Sequence, residues 1–163
     1  AQGRVFVTDT GNKRIMVYDQ DGNYLHQWGS EGILPGSFSE PVGIDVDSEG
    51  NIYVADTWNQ RIQVFDSEFA VLHEWPVDAW FGQSVVNKPY LAVDAESRVY
   101  ITDPEGYLVA VYGSDGELLA TFGRYGFDEN SFSLPTGIDV DADGYIYVTD
   151  TDGQRTIVFE PLP

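Results

Sequence analysis

The chain repeats itself every 47 residues, and this period constrains its fold more than any other feature. An aspartate recurs at that step four times, and so does an aromatic residue near the start of each period. The aspartates are Asp9, Asp56, Asp103 and Asp150, and the aromatic residues are Phe6, Tyr53, Tyr100 and Tyr147. Three full periods and about half of another fill the 163 residues without a net insertion. Such a period predicts an array of similar structural units.

Each period contains short apolar runs rich in Val, Ile, Tyr and Phe, separated by turn residues, which is typical of β-strands. The second period predicts four strands, which we denote a to d: Val42 to Asp47, Asn51 to Ala55, Arg61 to Phe65 and Val71 to Trp75. Asp47 and Gly50 stand first and fourth in the turn between a and b, which favours a tight hairpin. The connection from each strand d to the next strand a is longer, as in residues 30–40.

Four antiparallel strands per unit, joined by one long return connection, are typical of β-propeller blades. The predicted class is therefore all-β: a partial β-propeller of about four blades in a single segment, 1–163. The predicted blade units are approximately 1–40, 41–87, 88–134 and 135–163. The first blade lacks its inner strand and the last lacks its outer strand, which leaves fourteen strands.

The segment Pro41 to Asp66 reads PVGIDVDSEGNIYVADTWNQRIQVFD and closely resembles the NHL repeat. Pro135 to Phe159 carries the same pattern, and Arg4 to Asp19 matches its second half. In the third copy the resemblance is weaker, because Tyr90 stands where Gly43 does. The resemblance implies a propeller, commonly six-bladed, that many relatives use as a binding platform. A few related propellers are metal-dependent lyases or lactonases.

An arc of about four blades cannot close on itself, and it exposes the apolar faces of its terminal blades. Two explanations remain open. Either the chain is a piece of a longer propeller with further blades, or copies of it associate as a homodimer that completes a ring.

The net charge of −19, from 27 acidic and 8 basic residues, excludes several classes of partner. Nucleic acids and anionic membranes repel such a surface. No apolar run is long enough to insert into a membrane. The absence of cysteine excludes disulfides and thiolate chemistry. We expect an extracellular or cell-surface location, because an acidic, lysine-poor surface stays soluble in media rich in salt or calcium.

An aspartate and an arginine five residues apart flank the loop between strands b and c in three of the four copies. We expect these pairs to act as structural loop clips, with the aspartate accepting loop amides and the arginine pairing with it. The residues are Asp9, Arg14, Asp56, Arg61, Asp150 and Arg155. The third copy has Leu108 in place of the arginine.

Two further aspartates, Asp45 and Asp139, lie on strand a, the innermost strand of a blade. Grouped carboxylates near a propeller axis could hold Ca²⁺, which prefers oxygen ligands. Alternatively, each carboxylate hydrogen-bonds the backbone of a neighbouring blade. No other cofactor is expected.

The d-to-a connections carry aromatic residues beside carboxylates and amides, a composition that suits sugar rings or peptides. The candidate ligand-binding residues of this loop face are Trp80, Phe81, Tyr125 and Phe127. For Trp80 and Phe81 the alternative is a structural role, covering the seam between two blades. Phe38, Val85 and Phe132, also 47 residues apart, are expected to fill gaps between blades.

No catalytic constellation is visible, since neither histidine lies on a central strand and no nucleophile triad or phosphate-binding loop appears. The sequence thus favours a non-enzymatic binding or scaffold module whose loop face meets a protein, peptide or glycan. One alternative is a calcium-dependent lactonase-like or lyase-like enzyme with an axial metal at Asp45 and Asp139. Another is a purely structural, self-assembling half-propeller.

Overall fold

The computed structural model describes residues 3–82, 84 and 86–163. The chain divides into two compact units, Ala1–Asp78 and Ala79–Pro163. Both are built from antiparallel β-sheets, with short 3₁₀ turns at Thr10–Asn12, Thr57–Asn59 and Asp78–Trp80.

The first unit contains two sheets. The three-stranded sheet has the order β1-β2-β3, with β1 Arg4–Asp9, β2 Arg14–Asp19 and β3 Tyr24–Trp28. The four-stranded sheet has the order β4-β5-β6-β7, with β4 Pro41–Val46, β5 Ile52–Asp56, β6 Arg61–Phe65 and β7 Val71–Pro76.

The second unit also contains one four-stranded and one three-stranded sheet, but here the four-stranded sheet comes first along the chain. Its four-stranded sheet consists of β8 Leu91–Val93, β9 Val99–Asp103, β10 Leu108–Tyr112 and β11 Leu118–Phe122, in that spatial order. Its three-stranded sheet has the order β12-β13-β14, with β12 Pro135–Val140, β13 Ile146–Asp150 and β14 Arg155–Phe159.

The predicted fold class is confirmed. The four sheets have three, four, four and three antiparallel strands, as expected for blades that lack the inner strand first and the outer strand last. In the second copy, the observed strand boundaries lie within one residue of the predicted ones. None of the four described sheets closes on itself.

Each unit has an apolar core to which both of its sheets contribute. In the first unit Phe38, in the d-to-a connection, packs with Ile15 of β2 and Phe65 of β6. Phe132 of the second unit packs in the same way with Val111 of β10 and Val148 of β13. Both rings are fully buried, whereas Val85, the third residue of this series, lies outside the described residues.

The three-stranded sheets expose apolar side chains. On β1, Val5 and Val7 point to the same side and are both nearly half exposed. On β14, Val158 is exposed beside its cross-strand partner Tyr147. Among the described residues, no helix is long and apolar enough to cross a membrane.

Candidate functional site

The b-to-c loops and the d-to-a connections lie at the same end of each unit, which we call the loop end. There an aspartate and an arginine face each other across two paired strands. Asp56 and Arg61 are direct cross-strand partners on β5 and β6. Arg61 Nε donates to Asp56 Oδ2 at 3.0 Å. The other carboxylate oxygen accepts the backbone N–H groups of Ser39 and Glu40 at 2.8 and 3.1 Å. The fully buried Asp56 therefore joins strand β6 to the connection that precedes β4.

The guanidinium of Arg61 extends this network into the same connection. Nη1 donates to the Ile33 carbonyl at 2.8 Å, and Nη2 donates to the Leu34 and Ser37 carbonyls at 3.1 and 2.8 Å. Charge-assisted hydrogen bonds of this kind are stronger than neutral ones. The arginine thus holds a loop that contains no regular strand.

The second unit repeats the arrangement with Asp150 and Arg155. Asp150 Oδ1 accepts the N–H groups of Ser133 and Leu134 at 2.8 and 2.7 Å, and Oδ2 accepts Arg155 Nε at 3.0 Å. Arg155 Nη1 donates to the Phe127 carbonyl at 2.8 Å. Burial alone would raise the pKa of Asp150, but the Leu134 amide and the Arg155 guanidinium outweigh it, and the pKa lies below its ordinary value.

The Asp9 and Arg14 pair is more exposed. Arg14 Nε donates to Asp9 Oδ2 at 2.8 Å, and the arginine side chain is 33% exposed. Hydrogen bonds from Asn12 and Arg14 hold the pKa of Asp9 below its ordinary value. All three predicted pairs form salt bridges, and those at Asp56 and Asp150 also bind the preceding connection.

The clip of the second unit supports a group of three aromatic rings, which we call the aromatic cluster: the exposed Tyr125 and Phe127, and the partly buried Tyr107. Tyr125 lies edge-on to Tyr107 with ring centroids 4.9 Å apart, and edge-on to Phe127 at 5.9 Å. Tyr125 is 60% exposed and Phe127 68% exposed. Beside them, Arg124 Nη2 donates to Asp128 Oδ2 at 2.5 Å. The cluster combines exposed rings with a fixed backbone.

The structure places the four predicted ligand-binding residues in different surroundings. Tyr125 and Phe127 share the aromatic cluster, and Phe81 is 83% exposed. Trp80 is fully buried, and its indole N–H donates to the Thr102 carbonyl at 3.2 Å. Its ring therefore offers no face to a ligand, and its burial agrees with the alternative structural role.

Asp45 and Asp139 occupy equivalent positions in the two units. Each carboxylate accepts the backbone N–H of the next residue, Val46 at 2.8 Å and Val140 at 2.9 Å. Within the described part of the chain, no group of three or more potential ligand residues could hold a metal ion. Calcium binding through these aspartates stays a prediction. An unchanged melting temperature at millimolar calcium would contradict it.

Sequence reasoning missed two features of the network. Gln63 is fully buried, and its amide accepts Gly36 N–H at 2.8 Å and donates to the Ser37 carbonyl at 2.9 Å. Tyrosine hydroxyls also donate to the aspartate that opens the a-to-b turn in three blades. These pairs are Tyr53 with Asp47, Tyr100 with Asp94, and Tyr147 with Asp141. Their common six-residue spacing in all three blades was a signal that could have revealed them.

Comparison with known proteins supports the propeller assignment. Residues 38–65 match the family model of the NHL repeat, which confirms the resemblance seen in the sequence. No curated protein matches the chain significantly.

Solved structures of the same fold are much longer. A streptogramin B lyase superposes with a TM-score of 0.68 at 14% identity, covering 100% of this chain and 53% of its own length. Virginiamycin B lyase from Staphylococcus aureus gives 0.67 at 17% identity, with coverages of 100% and 54%. The WD40 repeats of RRP9 give 0.61 at 15% identity, with coverages of 97% and 48%. The fold is thus that of β-propeller proteins, and the chain spans about half the length of these structures.

Proposed function

We propose that this protein is a non-enzymatic binding module that contacts its ligand with the loop end of the second unit. The observation that carries the proposal is the aromatic cluster. Two of its rings are more than half exposed, although exposed aromatic groups cost solvation free energy. Hydrogen bonds from Arg155 to the backbone of Phe127 and Ser131 hold the loop that presents them. A pre-ordered aromatic surface loses little conformational entropy on binding.

The chemistry around the cluster suggests a protein, peptide or glycan partner. Asp128, Glu129 and Asn130 follow Phe127 directly and supply carboxylate and amide groups. Aromatic faces beside such groups suit the apolar face and hydroxyls of a sugar ring, or the side chains and amides of a peptide. The acidic surface disfavours nucleic acids and suits an extracellular or cell-surface setting.

The fold itself is compatible with both catalysis and binding, since its structural neighbours include lyases and WD40 repeats. Fold likeness therefore supplies no activity. The residues that distinguish this surface are the rings of the aromatic cluster, and aromatic faces beside carboxylate and amide groups are typical of ligand-binding surfaces. Tyr107 lies in the b-to-c loop and the other two rings in the next connection.

The test is a binding screen on glycan and peptide arrays with the wild type and the double variant Tyr125→Ala/Phe127→Ala. We expect the double variant to bind the wild-type ligands about tenfold more weakly or worse, because it lacks two exposed anchor residues of the interface. The matched control is Leu118→Ala/Leu119→Ala, which removes exposed apolar area at β11. Equal binding by the wild type and the Tyr125/Phe127 variant would refute the proposal.

A further inference from the structure

The loop that presents the aromatic cluster has a counterpart 94 residues earlier in the chain, and the two loops share backbone hydrogen bonds. In the second unit, Gly126 N–H donates to the Phe132 carbonyl at 3.0 Å. In the first unit, Gly32 N–H donates to the Phe38 carbonyl, also at 3.0 Å. The two loops therefore have the same local course, and their side chains can be compared position by position.

The clip arginines hold both loops at equivalent points. Arg155 Nη1 donates to the Phe127 carbonyl at 2.8 Å. Arg61 Nη1 donates to the Ile33 carbonyl at the same distance. In the first unit the three ring positions carry no aromatic side chain, and their residues are Lys13, Glu31 and Ile33. The loop thus keeps its course without the rings, so the fold does not account for their presence in the second unit.

The two exposed rings of the aromatic cluster form an open corner. The planes of Tyr125 and Phe127 meet at 72°, with ring centroids 5.9 Å apart. Tyr107 supports Tyr125 from a third position, edge-on at 4.9 Å. A cation is attracted to an aromatic face within about 6 Å of the ring centroid. One cation in the corner therefore lies within reach of both exposed rings.

Carboxylates stand beside this corner. Asp128 and Glu129 directly follow Phe127, and both are exposed. The Asn130 N–H donates to Asp128 Oδ1 at 3.0 Å and, together with the nearby Arg124, holds the pKa of Asp128 below its ordinary value. The carboxylate is therefore charged at neutral pH. Rings and carboxylates together favour a planar cation with several N–H donors, since a guanidinium stacks on a ring while it donates to carboxylates.

The chain itself provides an example of this contact. Arg124 Nη2 donates to Asp128 Oδ2, and the two side chains are 61% and 55% exposed. An ion pair as exposed as this one contributes little to stability. A guanidinium from another molecule can therefore replace Arg124 at Asp128 at small cost.

We propose that the corner between Tyr125 and Phe127 binds an arginine side chain of a partner polypeptide. The guanidinium lies against the ring faces, and its N–H groups donate to Asp128 and Glu129. This inference rests on the proposed function, because it names the partner of the same aromatic cluster. Complementary charge beside the rings distinguishes such a partner from a neutral glycan.

The test is a titration of the intact protein with two capped tripeptides, Gly-Arg-Gly and its citrulline form. Citrulline has nearly the size and shape of arginine but carries no charge. Chemical shifts of ¹³C-labelled tyrosine and phenylalanine rings report binding at the cluster. We expect the arginine peptide to bind about fivefold more tightly or better, through cation–π attraction and the carboxylates. This advantage should shrink as the salt concentration rises.

Two double variants separate local charge from net charge. Asp128→Asn/Glu129→Gln should reduce the affinity for the arginine peptide nearly to that for the citrulline peptide. The matched control is Asp115→Asn/Glu117→Gln, which removes the same two charges in the turn between β10 and β11. This turn lies at the other end of those strands, so the control should bind the arginine peptide almost as the wild type does.

A single variant tests the competition at Asp128. Arg124→Gln removes the exposed guanidinium that occupies this carboxylate. It should therefore bind the arginine peptide about twofold more tightly or better, and leave the affinity for the citrulline peptide unchanged. A purely structural role of the rings would not produce this gain.

The proposal is overturned if the wild type binds the arginine and citrulline peptides equally, or if neither binds at millimolar concentration. It is also overturned if the two double variants lose equal affinity, since net charge alone would then explain the binding. A neutral array ligand whose binding depends on Tyr125 and Phe127 would keep the proposed function in each of these cases. Failure of this inference is therefore distinguishable from failure of the proposed function.

Discussion

At the scale of single residues, the hydrogen-bond and ion-pair partners of each repeated aspartate decide whether that aspartate stabilises the fold. Asp56 and Asp150 are buried, and each carboxylate accepts hydrogen bonds from one arginine and from two backbone N–H groups. Asp103 is also buried and accepts Gly106 N–H at 2.9 Å, but Leu108 stands where the arginine does in the other copies. A buried carboxylate is stabilised only when hydrogen bonds and charge compensate its lost hydration.

The first prediction concerns the buried clip. Arg61→Met should lower the free energy of unfolding by about 3–5 kcal/mol, because it leaves the fully buried Asp56 without its cation. Arg14→Met is the matched control. It should lower the free energy of unfolding much less, because the Asp9 pair is partly exposed. Urea unfolding of both variants measures the difference. Equal losses would show that burial of the clip is unimportant.

The second prediction concerns Asp103, whose pKa is raised by burial. A raised pKa in the folded state means that ionisation near neutral pH opposes folding. Asp103→Asn should therefore raise the melting temperature at pH 7, and the gain should vanish below about pH 3.8, where the carboxyl is protonated in both states.

The control for this prediction has the opposite sign. The pKa of Asp150 is lowered in the folded protein, so its contribution is present above its ordinary pKa and is lost as the pH falls through the folded value. Asp150→Asn should then lower the melting temperature at pH 7. A stabilising Asp150→Asn, or a destabilising Asp103→Asn at pH 7, would contradict this account of the two carboxylates.

At the scale of elements, each buried phenylalanine of the d-to-a connections lies against a glycine that directly follows strand d. Gly29 has a φ of +98°, and a Cβ built there would lie 2.5 Å from the ring of Phe38. The same contact recurs between Gly123 and Phe132. The absence of a side chain allows the ring to lie directly against the backbone.

The third prediction compares two glycines of the first blade. Gly22 has a φ of +82° but open space around its Cα, whereas Gly29 faces Phe38. Gly22→Ala should cost about 1 kcal/mol from backbone strain alone. Gly29→Ala should cost about 1–3 kcal/mol more, because the ring must move. Thermal unfolding of both variants gives the comparison, and similar losses would exclude a steric role for Gly29.

The strands were predictable from the sequence because each is set by local alternation and turn residues. Arg61–Phe65 has the predicted bounds, and the other three strands of that blade differ from the prediction by one residue at one or both ends. Of the contacts between sheets, the period predicted those of Phe38 and Phe132, whereas it left the role of Trp80 open. The burial of Trp80 and the stacking of Phe69 on Trp28 depend on which surfaces meet after folding. The aromatic cluster was found only in part, because Tyr107 lies in the loop of a weak repeat copy.

At the scale of the whole molecule, self-association of the chain stays a prediction, and it would cover apolar side chains that the two three-stranded sheets expose. Val5 and Val7 on β1 and Val158 on β14 are exposed. The fourth prediction is that the mass measured by sedimentation exceeds 18.1 kDa and rises with concentration. Val5→Lys and Val158→Lys should each lower it. A monomer at every concentration, with or without calcium, would contradict self-association.

The measurement that tests the binding account most directly is hydrogen exchange of the chain with and without a ligand from the arrays. The loops at 104–107 and 123–131 lie at one end of β10 and β11, and the turn at 113–117 lies at the other end, so one experiment compares both ends of the sheet. The account predicts slower exchange at 124–131 and unchanged exchange at 113–117. Protection confined to 113–117, with none at 124–131, would show that the ligand binds at the other end and would contradict it.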